Sequence, residues 1–114
     1  MNIVAVRGTL SSVPKRQVLP SGDGLVSYEV TSRIDEGPAE SVNVVWFDPP
    51  DRADAHEVGA EVVVVGRVRR RFYRAGGATA SRTEVVADRV ISARHRRRVE
   101  QALDAVAAAL GAGP

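Results

Sequence analysis

Val62-Val63-Val64-Val65-Gly66-Arg67-Val68-Arg69-Arg70-Arg71-Phe72-Tyr73 is the stretch that decides how this chain folds. It opens on a β-branched run and then alternates, so it reads as one long strand whose successive side chains point to opposite faces. Val64, Gly66, Val68 and Phe72 share an apolar face, with Arg70 the exception, while Arg67, Arg69, Arg71 and Tyr73 stand in a row on the other. Residues two apart on a strand are separated by roughly 6.6 Å, close to the phosphate spacing of an extended single strand. Such a row can follow a polyanion backbone while a phenol ring offers a π face to a base. The simpler alternative is an edge strand whose arginines only block pairing with other chains.

Four more strands are expected. Residues 3–10 alternate, with Val4, Val6, Gly8 and Leu10 on one side. A connection bracketed by Pro14 and by Pro20-Ser21-Gly22-Asp23-Gly24 leads to Leu25–Ile34, where Val26, Tyr28, Val30 and Ile34 face inward. Ser41–Phe47 follows and ends at Asp48-Pro49-Pro50, where two prolines forbid further ladder bonding. Residues 51–60 are polar and hold at most a short helix. After Tyr73, Gly76-Gly77 with Ala78, Thr79 and Ala80 reads as a flexible loop carrying Arg74 and Arg82, and the last strand covers Thr83–Ile91. Five strands with glycine and proline turns at this spacing fit a small barrel or a sandwich. The pattern then changes: between Arg94 and Leu110 alanine dominates, and Val99, Leu103, Val106 and Leu110 form one apolar helical stripe, expected to pack on the barrel. Gly111, Gly113 and Pro114 supply its stop.

The 114 residues suffice for one domain. Aromatic residues are 4% of the chain, so the core rests on valine, and each ring deserves individual scrutiny. Phe47 shares a face with Asn43 and, if exposed on the sheet, is a second stacking platform. Trp46 and Tyr28 fall among valines and read as structural. With no cysteine, thiolate zinc sites and cysteine nucleophiles are excluded. His56 and His95 have no ligand-spaced companions, and neither a Walker loop nor a nucleophile elbow is present. No enzymatic activity, metal or cofactor is therefore expected.

Net charge is only +2, yet residues 66–98 hold eleven basic against two acidic side chains, a local charge of +9. That clustering is the electrostatic footprint of a polyanion partner. The cluster Arg94-His95-Arg96-Arg97-Arg98 is expected to lengthen the same path. Arginine supplies fifteen of the sixteen basic residues and, with abundant alanine, valine and glycine, suggests a GC-rich bacterial source. No leader or membrane-length apolar run is seen, which points to the cytoplasm.

In their order and spacing these segments resemble the bacterial single-stranded-DNA-binding proteins, which are OB-fold barrels. The resemblance is carried by Val4-Ala5-Val6-Arg7-Gly8-Thr9-Leu10, the Pro20-Ser21-Gly22 turn, Val30-Thr31-Ser32, Val44-Val45-Trp46-Phe47, Gly59-Ala60-Glu61-Val62, Gly66-Arg67-Val68 and Thr83-Glu84-Val85-Val86. It implies an all-β fold, a five-stranded OB barrel over residues 1–92, followed by a basic segment and amphipathic helix over 93–114. It also implies a nucleoid-associated homo-oligomer, dimer or tetramer, acting in DNA replication, repair or recombination, with no membrane or small-molecule partner. Two stacking positions of that family fall on Phe47 and Tyr73; two others fall on Asp35 and Ser41, which cannot stack, and its acidic C-terminal tip has no counterpart. The expected binding set for single-stranded DNA is Arg67, Arg69, Arg71, Tyr73, Phe47 and Asn43, with Arg74, Arg82 and the peripheral Arg33. An RNA-binding OB module, or an assembly module that has lost DNA binding, are the alternatives.

Overall fold

A computed structural model describes residues 1–111, and 54% of these residues are β-strand. The elements are β1 (Val4–Leu10), β2 (Lys15–Val18), β3 (Gly24–Arg33), β4 (Ala39–Phe47), β5 (Glu61–Ala75), β6 (Ala78–Ser92) and α1 (Arg96–Gly111). The sheet order is β1-β5-β6-β4-β3-β2, and a further β1–β3 pairing at Thr9–Thr31 and Leu10–Val30 closes it into a five-stranded barrel. All ladders are antiparallel except β4–β6. Leu10, Val26, Val30, Val44, Val62 and Val64 fill the interior and are fully buried, with Tyr28 and Val85 among them.

The four-valine run is explained by two-sided burial, which favours continuous apolar sequence over alternation. Val62 and Val64 face the barrel interior; Val63 and Val65 face outward with Ile91 and are covered by α1. Helix packing on the barrel is thus as expected, but the contact stripe is Val99, Ala102 and Val106 rather than the leucines. Leu103 and Leu110 are 42% and 58% exposed. A flat strand surface admits a close helix approach through a small residue, and Ala102 meets that need better than a leucine. The helix begins after Arg94-His95 and extends to Gly111; the expected stop signals Gly113 and Pro114 lie outside the described residues.

Three further expectations are corrected. The segment before Pro20 is not merely a connection: Lys15–Val18 forms the edge strand β2, bonded to β3. Ile34 does not continue the inward row; β3 ends at Arg33 and Ile34 is exposed. Most consequentially, residues 74–82 are not a loop. β5 and β6 are a continuous hairpin from Glu61–Ala75 to Ala78–Ser92, turned by Gly76-Gly77 alone. Both glycines have positive φ, +57° and +81°, the combination a two-residue hairpin turn requires. Arg74 and Arg82 are therefore strand residues.

At the barrel end of this hairpin, Val65 pairs with Arg89 but Gly66 with Ala87, leaving Asp88 unpaired as a bulge. Residues 48–60 contain turns and no helix. They are tied down from several sides: Tyr28 Oη donates to the Ala53 carbonyl at 2.6 Å, and Arg16 Nη2 donates to the Pro50 and Asp51 carbonyls at 3.1 Å each. Burial, followed by the Asp54 charge, raises the Tyr28 pKa, so the phenol stays a donor.

Candidate nucleic-acid interface

Register decides which side chains meet. Directly paired residues on neighbouring strands share a face, and the pairs Glu29–Asn43, Leu25–Phe47, Val45–Val86, Arg67–Val86, Arg69–Glu84 and Arg71–Arg82 place one outer surface across β3, β4, β6 and β5. Asn43, Phe47, Arg67, Arg69, Arg71, Tyr73 and Arg82 all lie on it, and Arg33 sits on the same surface at the far end of β3, opposite Ala39. Arg74 does not. It belongs to the opposite set, opposite Thr79, and its guanidinium reaches back to the Gly77 carbonyl at 3.4 Å.

Up to Val68 the strand β5 is bonded on both sides, because Asn2 extends the β1 ladder by donating to the Val68 carbonyl (2.6 Å) and accepting from its N–H (3.1 Å). From Arg69 onward only β6 pairs with it, so the hairpin leaves the barrel as a two-stranded arm. Beyond the barrel neither face has a core to join. Phe72, expected on the apolar side, is for that reason 65% exposed, and Tyr73 on the other side is 43% exposed.

A residue outside the expected set organises the row. Glu84 is 3% exposed and is the one charged side chain in the buried core of the described residues. Its Oε2 accepts from Arg69 Nε and Nη2 at 3.2 and 2.9 Å, and Arg71 Nε lies 3.4 Å from its Oε1. One carboxylate therefore serves two guanidiniums, and the trio carries a net +1. Each of those arginines also lies over a ring: Arg69 is 5.1 Å from the centroid of the half-buried Phe47, and Arg71 is 5.7 Å from that of Tyr73. Such cation–π contacts contribute about 0.5–1 kcal/mol at exposed sites. Arg67 and Arg82, by contrast, have no carboxylate within ion-pair reach among the described residues. The surface thus combines two free guanidiniums, two held by Glu84, and two aromatic rings with guanidiniums over them, all on an open shelf. Asn43 is half-buried beside Glu29, whose carboxylate accepts from Ser11 Oγ at 2.6 Å.

Trp46 and Tyr28, read as structural, pack with the core, Tyr28 buried and Trp46 half-buried. Among the described residues no group of His, Cys, Asp and Glu is arranged to hold a metal, and no helix is long and apolar enough to cross a membrane.

No protein-family model and no curated protein matches the sequence. The structure is similar to that of Plasmodium falciparum SSB in complex with ssDNA, with a TM-score of 0.70 and 17% sequence identity over 81% of this chain and 94% of that one. At that identity the likeness defines the fold: an OB barrel of the kind seen in single-stranded-DNA-binding proteins, here with a C-terminal helix.

Proposed function

We propose that this protein binds single-stranded DNA with little regard to sequence, using the outer sheet surface of β4, β5 and β6. Arg67 and Arg82 contact phosphates, Phe47 and Tyr73 stack on bases, and Arg69 and Arg71, held by Glu84, keep the Phe47 and Tyr73 rings in place. Asn43 and Arg33 lie along the path, and Arg74 reaches it from the other side of the arm. The observation that carries this reading is the alignment of free arginines with two arginine-covered rings on one open face. The likeness to a barrel solved with ssDNA supports the same ligand. Protection of exposed strands during replication, repair or recombination, by a homo-oligomer in the bacterial nucleoid, is the role that follows from this reading.

Titration of an oligothymidylate at about 50 and about 200 mM salt tests it. Three or four neutralised phosphates give a slope of about −2 to −3 in log K against log salt, at about 0.7 per phosphate on a single strand. Absence of binding at the lower salt, or binding indifferent to salt, overturns the proposal.

Glu84 makes a second expectation. Glu84→Gln removes the charge that engages Arg69 and Arg71 and frees both for phosphate. Affinity should rise at low salt and the slope steepen by about 0.7 for each new phosphate contact. The cost in stability is about 1–3 kcal/mol, because the carboxylate is buried and its bonds to Arg69 are charge-assisted, while both arginines are themselves partly hydrated. An unchanged slope would mean that neither arginine reaches the ligand.

A further inference from the structure

The described residues also form a hollow away from the sheet surface. A cleft of about 850 Å³ lies between the 48–60 connection and the start of α1, and a smaller one of about 230 Å³ adjoins it, with Trp46, Pro50, Val90 and Arg98 lining both. The larger volume is within the range of ligand-binding pockets, roughly 300–1,000 Å³. The connection that forms one wall is fixed by Tyr28 and Arg16, and by the exchange of backbone bonds between Leu10 and residues 59 and 60.

Its charge is one-sided. Arg7 comes from β1, Arg52 from the connection, Arg94 from the β6–α1 link, and Arg96 and Arg98 from the helix; Arg89 of β6 lines the smaller hollow. The two lining carboxylates are Glu57 and Glu61, and Glu61 is engaged by Arg7. Among the described residues Arg52, Arg89, Arg94, Arg96 and Arg98 have no carboxylate within ion-pair reach. Three of the six first helical residues oppose the macrodipole, since Arg96-Arg97-Arg98 open α1 with no acidic residue in the first turn. His56 reports the same field: burial lowers its pKa, and the charges of Arg94 and His95 lower it further. An anion relieves all of these repulsions, and planar guanidiniums fit phosphate oxygens in pairs.

Continuity with the sheet surface identifies the anion. The bulge at Asp88 turns Arg89 to the outer surface of β6, where Val86 pairs with Arg67 on one side and Val45 on the other. A polyanion leaving the row at Arg67 can meet Arg89, which lines the smaller hollow with Arg98 and Trp46; Arg98 and Trp46 also line the larger one with Arg96 and Arg52. A compact phosphate ester would use the large cleft alone and leave this basic track unexplained, and an acidic peptide has no use for the half-buried indole of Trp46 that lines both hollows.

Resting on the function proposed above, we infer that the cleft is a second binding segment for the same nucleic-acid strand. The strand passes from the sheet surface over Arg89 into the hollow beside Trp46, where Arg98, Arg96 and Arg52 hold its phosphates.

The test compares end-labelled oligothymidylates of about eight and about thirty-five nucleotides, lengths set by the 4–16 nucleotides one OB barrel occupies. The triple variant Arg52→Ala, Arg96→Ala, Arg98→Ala removes three exposed side chains with no ion-pair partners, so its fold is preserved. A control variant Lys15→Glu, Arg70→Ala lowers the net charge by the same three units and leaves the cleft intact. The cleft variant is expected to bind the short oligomer as the parent does. It should bind the long one about tenfold to a hundredfold more weakly at about 0.1 M salt, with a slope shallower by about 2; the control should lose little. Equal losses in both variants, or an undiminished affinity of the cleft variant for the long oligomer, overturn the second segment alone. Failure of the parent protein to bind either length overturns the sheet-surface reading and this one together.

Discussion

Replacing Phe47 and Tyr73 together by alanine should weaken binding of a short oligothymidylate by about 2–6 kcal/mol, since each stacked base contributes about 1–3 kcal/mol. At 1.4 kcal/mol per factor of ten this is a loss of about thirtyfold to twenty-thousandfold. The salt slope should barely move, because no cation is removed and Glu84 still holds Arg69 and Arg71. Tyr73→Ala alone is the cleaner variant: its ring projects from the arm, away from the core, so any loss of affinity is a loss of contact. An unaltered affinity of the double variant, with the salt slope retained, would reduce the interface to charge alone.

Gly66→Ala is expected to have the largest effect on stability. A Cβ at this position would meet the Val86 carbonyl oxygen at 2.0 Å and the Ala87 Cα at 2.9 Å. Both are backbone atoms of the strand paired with it, so no side chain can rotate away, and relief requires β5 and β6 to separate at the bulge. Overpacking of a tight site typically costs about 1–3 kcal/mol, and a rigid backbone contact of this kind belongs at or above the upper end. With total stabilities of about 5–15 kcal/mol, the urea midpoint should fall markedly at an unchanged m-value. A variant as stable as the parent would show that β5 and β6 are not so closely apposed at Gly66.

Much of this architecture was legible because alternation and turn chemistry are local. The arginine row, the inward valines of β3 and β4 and the prolines that end β4 follow from period and residue type alone. What escaped needed information about distant partners. Gly76-Gly77 is enough for a two-residue turn, and counting back from it sets Glu84 opposite Arg69; reading a loop there hid the buried carboxylate. Phe72 alternates like a core residue but lies past the end of the barrel, where alternation no longer implies burial. In α1 the leucines outrank Ala102 in hydrophobicity, yet the surface they would meet is a closely packed sheet that admits the smaller side chain. β2 has no apolar period at all: Lys15-Arg16-Gln17-Val18 is a strand because β3 offers an open edge and Arg16 grips the 48–60 connection. The charged cleft joins residues from β1, the connection, β6 and the helix, and no window of sequence contains them together.

The seam between β1 and β5 joins the earliest strand of the chain to one that begins more than fifty residues later. During synthesis Val4 and Val6 therefore leave the ribosome with no partner to cover them, and the barrel cannot shut until Glu61–Gly66 has also emerged. Assembly is governed by this late meeting of remote segments, the circumstance in which folding is slow and chaperone contact matters most.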